Sequence, residues 1–80
     1  VNSLPTVPRA EERIRELAKD GRDARMGVYI EPVVLVDHSF EVAVVWVCLD
    51  DQRGVYRAVY PVRDKDRLDQ HVLNLIDAMR

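Results

Sequence analysis

Apolar positions recur along this chain with two periods, helical towards both ends and strand-like between them. From Pro8 onward, Ala10, Ile14, Leu17 and Ala18 fall at i, i+4, i+7 and i+8 with Glu11 and Glu12 early, the stripe of an amphipathic helix. Thr6 is placed to cap it, Pro8 suits its first turn, and Gly21 ends it in a left-handed conformation. The stripe is narrow and Glu11 stands four residues before Arg15, so this helix lies on the surface of something larger. From Met26 to Val62, β-branched and aromatic residues dominate three runs separated by turn signals. The first strand covers about residues 27–36 and contains Pro32, which confines it to a sheet edge or a bulge. The second, Phe40 to Leu49, follows a three-residue turn, Asp37-His38-Ser39, and its near-continuous apolar run makes it the central strand, buried on both faces. The third covers about residues 55–62, after a longer loop from Asp50 to Gly54, and ends at Pro61. A final helix, capped by Asp64 or Asp66, carries Leu68, Val72, Leu75, Ile76 and Met79 on one stripe, with Asp69, Gln70, Asn74 and Asp77 elsewhere.

The expected order is α-β-β-β-α: an α+β two-layer sandwich in which a three-stranded antiparallel meander, order 1-2-3, packs against both terminal helices. Residues 1–7 read as a flexible N-terminal arm and 8–80 as a single domain. Charge along each strand sorts its faces. Tyr56, Ala58, Tyr60 and Val62 share an uncharged side and go under the helices. Val28, Ile30, Val34 and Val36 go there too, as do Phe40, Val42, Val44 and Trp46, because their alternates include Glu31, Asp37 and Glu41. The opposite face then presents Val33, Leu35, Ala43, Val45, Val47, Leu49, Val55 and Val59, bordered by Tyr29, Glu31, Glu41 and Arg57. Such a patch is covered in solution, most simply by a second copy in two-fold symmetry. Helices straddling the sheet, or a different protein, are the other ways to cover it.

Eighty residues bound the chain to one small domain, with 48% hydrophobic and 32% charged residues, the balance of a soluble globular protein. A core this small gains from a partner or a second copy. The net charge of −2 sets up no global field towards nucleic acid or an anionic membrane. The longest apolar run, Val42 to Leu49, is far short of the about 20 residues of a membrane span. Val1-Asn2-Ser3-Leu4-Pro5 lacks the pattern of a secretory leader, and the single cysteine, Cys48, forms no internal disulfide, so a cytoplasmic location is expected.

Candidate chemistry is sparse. Cys48 and His38 sit at opposite ends of the second strand and form no dyad, and Ser39 beside His38 has no acid to complete a triad. Two histidines 33 positions apart give no zinc spacing. Asp50-Asp51 and Asp64-x-Asp66 are explained by turns and capping, and His71 marks the border of the second helical stripe. Only Gly21, Gly27 and Gly54 exist, none in a phosphate-binding loop. No cofactor, metal or catalytic residue is therefore expected. In coarse topology the order is similar to the double-stranded RNA-binding domain, an analogy of fold alone. The clustered cations that such a domain carries at the start of its last helix are replaced here by Arg63-Asp64-Lys65-Asp66-Arg67, which alternates in sign.

The expected function is a non-enzymatic protein-binding module of accessory, regulatory or inhibitor type. It pairs with itself through the open sheet face, using Val33, Leu35, Val45, Val47, Leu49, Val55, Arg57 and Val59. The alternative is nucleic-acid binding through an Arg-rich strip, with Arg9, Arg13, Arg22 and Arg25 meeting phosphates or an acidic partner. Interleaved Glu12, Glu16, Asp20 and Asp23 favour a self-paired surface for that strip instead.

Overall fold

A computed structural model describes residues 4–80. Helix α1 spans Pro8–Lys19, strands β1 Ala24–Val34, β2 Ser39–Leu49 and β3 Gln52–Tyr60, and helix α2 Lys65–Met79. The sheet is an antiparallel meander in the order β1-β2-β3, as expected, with β2 in the centre and Pro32 on the β1 edge. Both helices lie on one face. Ile14 and Leu17 of α1 and Leu68, Val72 and Ile76 of α2 form one buried cluster with Val45, Val47 and Leu49 of β2.

That cluster corrects the expected orientation of β2. Val45, Val47 and Leu49 belong to the core beneath the helices, and Ala43 is buried on the same side, while Val42, Val44, Trp46 and Cys48 occupy the open face. The cause lies in the turns. The β2–β3 connection has two residues, Asp50 and Asp51, not the five expected, and the β1–β2 connection runs over the four residues 35–38, not three. Each odd loop becomes an even one, and a shift of one residue in register exchanges the two faces of a strand. β3 and the first part of β1 keep the expected sides, with Met26, Val28, Tyr56 and Ala58 packed against the core, but Val34 and Val36, expected under the helices, are exposed because the hairpin end projects past the helical layer and Val36 lies in the turn.

Local chemistry explains these turns. Asp50 adopts φ 56, a left-handed conformation that Asp tolerates better than most side chains, so no glycine is needed there. Gly54 instead sits inside β3, where a Cβ would lie 2.8 Å from Leu75 Cδ1, and so it admits α2 close to the sheet. The Arg22 guanidinium donates to Asp50 Oδ2 at 2.7 Å, and the Asp50 N–H donates to the Asp23 carbonyl at 2.7 Å, tying the α1–β1 loop to this turn. That guanidinium also holds the Asp50 carboxyl below its usual range.

The helix caps differ from the expected ones at one end. Asp64 caps α2, accepting from the Arg67 N–H at 3.0 Å, and Gly21 (φ 87) follows the end of α1. The start of α1 receives no cap from Thr6. Its Arg9 and Ala10 N–H groups donate at 3.1 and 3.0 Å to Asp69 of α2, a residue 3% exposed rather than on the polar face of its helix. Of the arm expected over residues 1–7, residues 1–3 lie outside the described residues, whereas Pro5 and Val7 are buried and Val7 joins the core.

The body measures 47 × 23 × 21 Å. Eleven-residue strands reach about 36 Å and a 15-residue helix about 22 Å, so the β1–β2 hairpin outruns the helical layer. Val34, Leu35 and Val36 are exposed at its tip.

Candidate functional site

The face of the sheet away from the helices is built from alternate residues of three strands. β2 contributes a central row, Phe40, Val42, Val44, Trp46 and Cys48, with no formal charge. β1 places Arg25, Gly27, Tyr29, Glu31 and Val33 along one side, and β3 places Arg53, Val55, Arg57 and Val59 along the other. The Trp46 indole lies across Gly27, where a Cβ would come within 2.5 Å of Nε1, so the absent side chain lets the ring lie flat on the sheet. Glu31 and Arg57 reach towards each other from the two outer strands, 3.9 Å apart, over the central row. Val44 is accordingly only 1% exposed, whereas Tyr29 is 45% and Val59 67% exposed. One Glu31 oxygen, Oε2, is enclosed without a hydrogen-bond donor. Tyr29, Trp46, Arg53 and Val55 line a cleft of about 300 Å³ on this face.

Set against the sequence reading, Val33, Val55, Arg57 and Val59 do lie together on the open face, and Leu35 is exposed at the hairpin tip. Val45, Val47 and Leu49 do not; they are core residues. What the sequence reading missed is the other register of β2, which sets Trp46 on this face beside Tyr29, a residue expected at its border.

The four arginines read as a strip are each engaged by a carboxylate of their own chain. Arg9 pairs with Asp69 at 3.2 Å, Arg13 with Asp77 and Glu16, Arg22 with Asp50, and Arg25 with Asp23 at 3.0 Å. Arg15 pairs with Glu12 rather than with Glu11. Cys48 is buried, its Sγ 3.5 Å from the Arg25 guanidinium. His71 stacks on Tyr56 with ring centroids 5.0 Å apart, and His38 stacks on Phe40. Among the described residues no group of three His, Cys, Asp or Glu is placed to hold a metal ion, and no helix is long and apolar enough to cross a membrane.

No protein-family model, curated protein or solved structure matches the chain. The functional reading therefore rests on the surfaces described above and on their chemistry.

Proposed function

We propose that the chain is a non-enzymatic protein-binding module that works as a homodimer, two copies meeting through their open sheet faces. The observation that carries this reading is the sheet face that neither helix covers, on which Tyr29, Val55 and Val59 stand exposed beside the half-buried Phe40 and Trp46. Contiguous apolar surface of this kind, rimmed by charge, is the usual mark of an interaction site. A two-fold axis sets a patch against itself, so that residue i meets j and j meets i. The loosely made Glu31–Arg57 pair suits that arrangement, because a carboxylate and a guanidinium 3.9 Å apart can exchange partners with those of a second copy. The lone Cys48, buried and free, suits a reducing compartment, and we place the module in the cytoplasm on that ground.

Light scattering over a concentration series tests the pairing. The expected mass is about 18 kDa, twice the 9.2 kDa of one chain. Tyr29→Glu combined with Val55→Glu is expected to return it to that of one chain. Both side chains are more than 40% exposed in the single chain, so each change alters its intrinsic stability by no more than about 0.5 kcal/mol. A mass of 9.2 kDa for the unsubstituted chain at every concentration rejects the homodimer.

A second reading, single-stranded nucleic-acid binding, is favoured by one observation, the cleft in which Trp46 and Tyr29 stand beside Arg53. Aromatic faces stack on unpaired bases and guanidinia meet phosphates. The face carries three arginines and one glutamate although the chain as a whole is acidic. Trp46 is the only tryptophan, so its fluorescence reports directly. Quenching by a dT12 oligonucleotide that weakens steeply between about 50 and 200 mM salt would favour this reading; unchanged fluorescence at low salt would reject it.

A further inference from the structure

The two edges of the sheet are not alike. β1 carries Pro32 in its edge, and a proline has no N–H to offer an added strand, which is one of the ways in which edges are protected. β3 has no proline, and among the described residues it pairs in the sheet only with β2, so residues 52–59 offer an outer backbone edge that another strand can take. Beside that free edge, where β3 meets α2, lies a cleft of about 160 Å³. Its lining is apolar on the sheet side and in its depth, from Tyr56, Ala58, Val62 and Leu68. Its rim is cationic. Arg63 makes no ion pair or hydrogen bond among the described residues, Arg67 stands 3.8 Å from Asp64, and His71 leans on the Tyr56 ring. The one carboxylate there, Asp64, is committed to capping α2.

We infer that this groove takes an extended, acidic segment of a partner protein, added to β3 as a fourth antiparallel or parallel strand. A strand at a sheet edge gains affinity from backbone hydrogen bonds and specificity from the pockets that receive alternate side chains. Here the pocket on the helix side takes an aliphatic side chain. Arg63 and Arg67 at its rim, with Arg53 and Arg57 on the other side of β3, select carboxylates. The same charges argue against a second copy as the occupant. Two β3 strands paired edge to edge bring four guanidinia together, and like charges on neighbouring strands oppose pairing. The inference rests on the protein-binding reading, but not on the two-fold contact, which uses the open face.

The test uses an acetylated, amidated octapeptide of glutamate with valine at positions 4 and 6, so that with the valines in the groove glutamates 2 and 8 lie on the Arg63 and Arg67 side and the odd-numbered ones on the Arg53 and Arg57 side; it is titrated into the full chain and followed by amide chemical shifts. The expected result is saturable shifts in residues 52–60 and 63–71, with slowed hydrogen exchange along β3. The same peptide with lysine in place of every glutamate is expected to bind at least tenfold more weakly. Arg63→Glu combined with Arg67→Glu is expected to abolish that preference. Both residues are exposed, and a glutamate at position 67 completes a capping box with Asp64, so the fold is retained. No shifts at millimolar glutamate–valine peptide, shifts confined to the open sheet face, or equal binding of both peptides would overturn the inference. Mass by light scattering separates the two readings: a monomer that still binds the peptide removes only the homodimer, and a dimer that ignores it removes only the groove.

Discussion

Val47→Asp is expected to leave a chain with no cooperative unfolding transition. Val47 is fully buried near the end of the central strand β2, beneath the helices, in one cluster with Leu17, Leu49, Val72 and Ile76. Replacing it by Asp removes about 2 kcal/mol of apolar burial and strands a carboxylate without a partner in a dry site, at a further cost of several kcal/mol. A domain of 80 residues has in total about 4–12 kcal/mol to lose. Far-ultraviolet circular dichroism during heating reads the outcome. The contrasting change, Val36→Asp at the exposed hairpin tip, is expected to shift stability by less than about 0.5 kcal/mol. A cooperative, well-folded Val47→Asp protein would mean that Val47 faces outward and that the register of β2 described above is wrong.

The second large effect is expected at Asp69. Its buried carboxylate accepts the Arg9 and Ala10 N–H groups and the Arg9 guanidinium, so one side chain caps α1 from α2. The first N–H groups of a helix have no partner within it, and Val7 at the cap position has no side-chain acceptor to offer. Asp69→Ala therefore leaves two donors unpaired at a largely buried junction, at a cost of about 2–4 kcal/mol. Asp69→Asn keeps a single carbonyl acceptor and is expected to recover part of the loss. Arg9→Ala removes only the half-exposed ion pair and is expected to cost less than about 1 kcal/mol. Urea unfolding of the three variants checks the ranking; an Asp69→Ala protein as stable as the parent would show that water replaces the carboxylate.

The elements themselves were legible because each has a strong local signal. The stripe of Leu68, Val72 and Ile76 and the capping Asp64 mark α2, and the eight-residue apolar run marks β2 as central. The parity of the turns was not legible. Gly54 looks like a loop residue, yet its lack of a side chain serves the approach of Leu75 and Met79, while Asp50 takes the left-handed turn position. Glu41 added to the error. It stands opposite Pro32 and Tyr60, on the helix-facing side but beyond the reach of the helices, and is therefore solvated. One charge at the end of a strand thus gave the wrong side for the whole of it. The open face was anticipated as a surface, and its β1 and β3 residues largely were too, Tyr29 among them, but Trp46 follows only from the correct register. Asp69 was hidden for a different reason: nothing in a one-dimensional pattern shows that an acid on one helix meets the bare start of another 60 positions away.

That cap also fixes an order of events during synthesis. Of the elements described, α1 leaves the ribosome before the others, yet the acceptor for its Arg9 N–H is made only when residue 69 has been added. Until then α1 keeps its opening turn unsatisfied and lacks the α2 residues that complete its core. Contacts of such sequence separation are slow to form, since most of the chain must be ordered before they repay the cost of closure. The earliest made of these five elements is thus among the last to be secured.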